Sequence, residues 1–113
     1  KMYMIGNVAP KARRLVDMTF EAMWAGIRQV KPGARLGDIG HAIQSHAQAN
    51  GYSVVREYCG HGIGKQMHEE PQILHFGRPG TGLRRVAGIV EARTKEYGER
   101  AACVGSAGRL ELQ

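Results

Sequence analysis

The side chains best suited to chemistry gather between Tyr58 and Pro71: His61 and His68 seven positions apart, the Cys59 thiol, and the adjacent carboxylates Glu69 and Glu70. Gly60, Gly62 and Gly64 take alternate positions through the first half of this stretch. In an extended segment such spacing strips one face of side chains, so another backbone or a ligand can approach closely. His61 and Ile63 then project from the opposite face. A neutral imidazole is the commonest protein metal ligand. A single histidine without a partner at ligand spacing is more often a hydrogen-bonded structural residue, and spacing alone leaves both readings open.

Several familiar chemistries do not fit. The His61 to His68 interval is not the i, i+4 pair of a helical H-E-x-x-H zinc site, and Pro71 ends any helix begun at His68. Gly60 to Gly64 lacks the G-x-G-x-x-G register, and Lys65 is not followed by the Ser or Thr of a phosphate loop.

The elements that must position this stretch precede it. Pro10 suits a first helical turn, and Val16, Phe20, Met23, Ile27 and Val30 recur at helical spacing, with Leu15, Thr19, Ala22 and Gly26 widening the stripe. Lys31, Pro32 and Gly33 are read as its end. A second helix is marked by Leu36, Ile39, Ile43 and Ala47 and closed by Asn50 and Gly51. Its start is expected to be poorly capped, with Arg35 at the N-cap and Gly37 and Gly40 each costing about 1 kcal/mol against alanine. His41 and His46 are read as solvent-facing. Tyr52 to Tyr58 reads as a strand leading directly into the glycines, and Gln72 to Phe76 as a further short strand. Lys1 to Ile5 reads as the end of another. The expected fold class is therefore α/β in the α+β sense, an antiparallel sheet covered on one face by two helices. After a loop at Gly77 to Gly82, residues 84–113 show no clean strand alternation; a helix around Ile89 to Tyr97 and a loose end near Gly105 to Gly108 are the readings there.

At 113 residues the chain holds one small domain at most. The net charge of +6 is spread evenly, with 9 basic and 6 acidic residues in 1–75 and 7 and 4 in 76–113. No aromatic residues interleave with a basic cluster, so a dedicated nucleic-acid face is not expected. Cys59 and Cys103 do not make a disulfide framework, and no apolar run is long enough for a membrane span, which makes a cytoplasmic setting the expectation.

Glu57 to Gly64 (E-Y-C-G-H-G-I-G) followed by Met67 to Pro71 (M-H-E-E-P) resembles the central signature of bacterial-type methionine aminopeptidases. The resemblance extends over about residues 1–83, leaving 84–113 as a divergent tail. Creatinase and proline-peptidase relatives share a looser H-G-x-G and H-E-x-P pattern, and the Tyr58 and Cys59 lead-in favours the methionine enzyme.

The resemblance implies a partial pita-bread fold and a metal-dependent hydrolase acting on the N-terminal methionine of nascent polypeptides, with ribosome proximity as a corollary. In such enzymes two divalent ions (cobalt, manganese, iron or zinc) are held by two aspartates, one histidine and two glutamates, and activate a water. By the motif's register His61 matches the histidine metal ligand. His68 matches the catalytic histidine that contacts the substrate's peptide group, and Met67 falls where an apolar residue lines the methionine pocket. The two aspartates belong to a D-T-S element ending just before Lys1 to Tyr3. Aligning Gly88 with the glycine of the first glutamate's strand puts Ala87 at its first proline, Glu91 out of register and Thr94 at the ligand position. The expectation is thus an enzyme by descent, with this stretch alone inactive and capable of weak single-site metal binding at most. The alternative is a non-catalytic pita-bread remnant or peptide-binding module.

Overall fold

The computed structural model describes residues 2–84 and the strand at 110–112. Helix α1 runs Pro10–Ile27, with the proline in its first turn as expected. Its buried residues are Met18, Ala22 and Gly26: Ala22 and Gly26 belong to the expected stripe, Met18 does not, and Val16, Met23 and Ile27 are only half-buried. Phe20 and Trp24 stay 37% and 42% exposed and meet edge to face at 6.3 Å between centroids. The cause is close helix packing. A β-carbon on Gly26 would lie 2.8 Å from the Ile43 side chain, so only the small-residue stripe lets the second helix approach this near. The helix also ends earlier than Lys31, with the Arg28 N–H donating back to the Trp24 carbonyl at 3.0 Å and Gly33 turning the chain at φ 86°.

Helix α2, Leu36–Ala49, begins with Arg35 at the N-cap, yet its start is not bare. The Asp38 carboxylate accepts the Arg35 N–H at 2.8 Å. The Leu36 and Gly37 N–H groups donate to the Leu83 and Thr81 carbonyls at 3.2 and 3.0 Å, so a distant loop satisfies the orphan donors that a side-chain cap normally takes. Gly37 and Gly40 are sites of contact: a β-carbon on either would strike the backbone of the returning chain, at Arg78 and Thr81 for Gly37 and at Leu74 and Phe76 for Gly40. At the far end Gly51, at φ 78°, takes the left-handed position that the sequence reading assigned to it.

Four strands follow among the described residues: β1 Tyr52–Val54, β2 Cys59–Gly62, β3 Glu69–Leu74 and β4 Leu110–Leu112. They form two antiparallel ribbons, β1 with β4 and β2 with β3. The expected continuous strand from Tyr52 to Tyr58 is broken by a turn at Arg56 and Glu57, where the Arg56 guanidinium sits 4.5 Å from the Phe76 ring centroid. Residues 2–5 form no strand; Met2, Tyr3 and Ile5 are exposed. The strand at Leu110–Leu112, with Tyr52 opposite Leu112, was not expected from the sequence. The helix read at Ile89 to Tyr97, the Gly105 to Gly108 segment, Cys103 and the Gly88 to Thr94 register lie outside the described residues.

The α+β class is as expected. Among the described residues the core is small: Met18, Ala22, Ala47 and Tyr52, with Leu15, Ile43 and Val54 packed against them. Tyr52, 2% exposed, is its largest fully buried side chain, and burial of one such ring contributes on the order of 3 kcal/mol. Half-buried His46 on α2 places its Nε2 3.2 Å from the Glu21 carboxylate on α1, so it joins the helices instead of facing solvent, whereas His41 is exposed.

Candidate functional site

The β2–β3 ribbon has two faces. Along β3 Pro71 is buried and Glu69 and Ile73 are half-buried, while Glu70, Gln72 and Leu74 are exposed. His61 stands opposite Gln72 in the register and therefore shares the outer face. Cys59, two residues earlier, points the same way as a half-buried free thiol. Between His61 and Gly62 the register shifts: Gln72 faces His61 but Glu69 faces Gly62, so Glu70 and Pro71 are extra residues on β3. Gly62 is required where the strands press together, because a β-carbon there would lie 2.9 Å from the Glu69 carbonyl oxygen and closer still to that of Glu70.

His61 and His68 meet on this outer face. Their ring centroids are 4.3 Å apart and their planes tilted by 43°. The His61 Nδ1 lies 2.9 Å from the Gly62 carbonyl oxygen. A carbonyl only accepts, so the proton belongs on Nδ1 and the Nε2 lone pair is left for a ligand. His68 is presented by the turn of residues 63–68, which is tied by the Gly64 N–H to the Gln66 carbonyl at 3.1 Å and by the Gln66 N–H to Glu69 Oε1 at 2.9 Å. Glu69 thus works as a brace for the turn. Met67 beside it is 71% exposed.

Sequence reasoning overlooked His75. It continues the inward alternation of Pro71 and Ile73, is 5% exposed, and its Nδ1 has no hydrogen-bond partner. Burial pushes its pKa below the ordinary 6.5. The period-two pattern from Pro71 to His75 was the signal. A surface hollow of about 570 Å³ beside α1, lined among others by Arg13, Asp17, Glu21 and Asn50, includes neither His61 nor His68. The histidine pair occupies an open face instead.

Among the described residues no three His, Cys, Asp or Glu side chains come close enough to hold a metal ion together. This donor set does not fit a centre of two ions.

An outward histidine on a glycine-smoothed strand, a second histidine returned onto it by a short turn, and two packed helices agree with what the sequence comparisons find. A model of metallopeptidase family M24 matches residues 1–99, past the Leu83 at which the motif resemblance stops, and the chain belongs to that family. Within the family its similar relatives are methionine aminopeptidases. It is 55% identical over 89 residues to the methionine aminopeptidase of Rickettsia prowazekii, covering 79% of this chain and 34% of the relative. With methionine aminopeptidase B of Synechocystis the identity is 53% over 90 residues, or 80% of this chain and 33% of the relative. The crystal structure of the Rickettsia prowazekii protein superposes with a TM-score of 0.72 at 57% identity, covering 74% of this chain and 34% of that one. That of Thermotoga maritima gives 0.69 at 43% identity, over 73% and 33%. The chain therefore spans about a third of the length of these relatives, and its fold is the corresponding part of the pita-bread architecture.

Proposed function

We propose that residues 1–83 are the central part of an aminopeptidase that removes N-terminal methionine from nascent polypeptides, in the cytoplasm and near the ribosome, with 84–113 a divergent tail. The observation that carries this reading is the adjacency of His61 and His68 on one open strand face. In it, the His61 Nε2 would be one of the ligands holding a divalent ion (cobalt, manganese, iron or zinc), and the chemistry that ion would supply is activation of a water. His68, held above His61 by the Glu69-braced turn, donates to the carbonyl of the substrate's peptide group and fixes its orientation. Met67 packs on the methionine side chain as the bound peptide covers it.

The test is a chimera in which residues 2–83 replace the matching segment of the Rickettsia prowazekii relative. It is expected to release methionine from a Met-Ala-Ser peptide, and His68→Ala in it is expected to lower kcat about 10²-fold or more, as loss of one oriented donor does. A folded chimera without activity overturns the reading.

The chain by itself is proposed to bind without cleaving, because the described residues supply too few ligands to lower the pKa of a bound water. Incubated with cobalt or manganese and Met-Ala-Ser, it is expected to release no methionine. Release that vanishes on His61→Ala would reject the binding-module alternative.

A further inference from the structure

The histidine pair has a capacity that neither role above requires. We propose that His61 and His68 together form a two-imidazole chelate for one borderline transition-metal ion, needing no carboxylate. The ion is of the nickel or zinc class, which imidazole nitrogen suits, and not of the magnesium or calcium class, which takes oxygen ligands.

Three observations carry it. The first is distance. Two imidazole nitrogens on one ion, each about 2.0–2.1 Å away, are at most about 4.2 Å apart. The ring centroids of His61 and His68 are 4.3 Å apart, so rotation of the exposed His68 ring can bring one of its nitrogens within this span of the His61 Nε2. The second is donor state: the Nδ1 bond to the Gly62 carbonyl at 2.9 Å fixes the His61 tautomer and its ring orientation, leaving Nε2 as the donor. The third is access with support. His68 is exposed and the outer face is open, so an ion can enter and keep its remaining positions for water. The Glu69 brace at 2.9 Å from the Gln66 N–H restricts the turn that carries His68, which limits the ordering needed on binding. This arrangement differs from the metal role proposed for His61 above, where His68 contacts substrate.

The experiment titrates tag-free chain with Ni²⁺ and follows both binding heat and the imidazole resonances by NMR. One ion per chain is expected, with the His61 and His68 signals broadened together. Because His68 is exposed, His68→Ala is the informative variant; it is expected to weaken binding about tenfold or more while leaving the circular dichroism spectrum unchanged. His61→Ala is expected to weaken it similarly, and His41→Ala, on the exposed side of α2, to leave it unchanged. Wild-type affinity in His68→Ala would overturn the chelate while leaving the single-ligand role of His61, and the chimera test, untouched. Wild-type affinity in both His61→Ala and His68→Ala would place the ion elsewhere and overturn it too.

Discussion

Asp38 and Gly80, 42 positions apart, are joined by a 2.6 Å hydrogen bond from the Gly80 N–H to Asp38 Oδ1. Oδ2 of the same carboxylate accepts the Arg35 N–H at 2.8 Å. One side chain therefore completes the first turn of α2 and clasps the loop that follows β3. These bonds, that from Gly80 foremost, hold the Asp38 carboxyl below its ordinary 3.8. A carboxylate lowered on folding contributes stability above 3.8, and that contribution is lost as pH falls through its folded value. Asp38→Ala is expected to lower the melting temperature at neutral pH and to remove this part of the acid loss. Melting curves recorded in steps from neutral to acid pH check both, and an unchanged midpoint would count against the clasp.

His75 gives a second pH dependence, at higher pH. Its folded pKa lies below 6.5 because burial disfavours the charged ring. The unfolded chain therefore takes up the proton first, so this stability is complete above 6.5 and declines as pH falls from there towards the folded value. His75→Leu is expected to flatten that limb. Urea midpoints of the two proteins on either side of 6.5 measure it.

Gly40→Ala separates helix propensity from packing. Propensity alone favours the alanine by about 1 kcal/mol. In the structure its β-carbon would lie 2.7 Å from the Leu74 carbonyl oxygen, and a comparable clash meets Gly62→Ala. Overpacking of this kind costs about 1–3 kcal/mol, so both variants are expected to be less stable than wild type by urea denaturation. A gain in stability for Gly40→Ala would mean that the return segment gives way.

The contrast between Gly40 and Gly62 shows how far the residues could be read. The glycine alternation at Gly60 to Gly64 announced a strand approached closely from one side, and Gly62 is where that approach occurs. The same inference was open for Gly37 and Gly40, but inside a helical pattern glycine reads first as a propensity defect. What it meets is a backbone more than thirty residues away. The capping of α2 was illegible for the same reason, since its partners Thr81 and Leu83 lie on a loop with no local link to Arg35. On α1 periodicity located the helix and most of its inward face, while which of those positions are fully buried was decided by Ile43 on its partner, which meets Gly26. The His61 to His68 contact was legible through the motif alone, because the interval says nothing about where the turn at 63–68 brings the second ring.

The isolated chain is expected to self-associate. Phe20 and Trp24 form an exposed aromatic pair on α1, and the β2–β3 ribbon has no third strand among the described residues. Size-exclusion chromatography with light scattering is expected to show species above 12.4 kDa, shifting towards that mass in Trp24→Lys. A sharp monomer at high concentration would show that these surfaces are tolerated in water.

The register shift between His61 and Gly62 sets a counting rule for any future change to this hairpin. Two residues, Glu70 and Pro71, are accommodated as extras, and two is the number of residues in one full period of strand alternation. Inserting or removing one residue between Glu69 and Pro71 would turn the second imidazole, which immediately precedes β3, towards the buried side of the ribbon, whereas a change of two would return it to the side it holds now. Tolerance at this point of β3 is governed by odd and even, and a library of insertions between Glu69 and Pro71 would be expected to keep the paired histidines only at every second member.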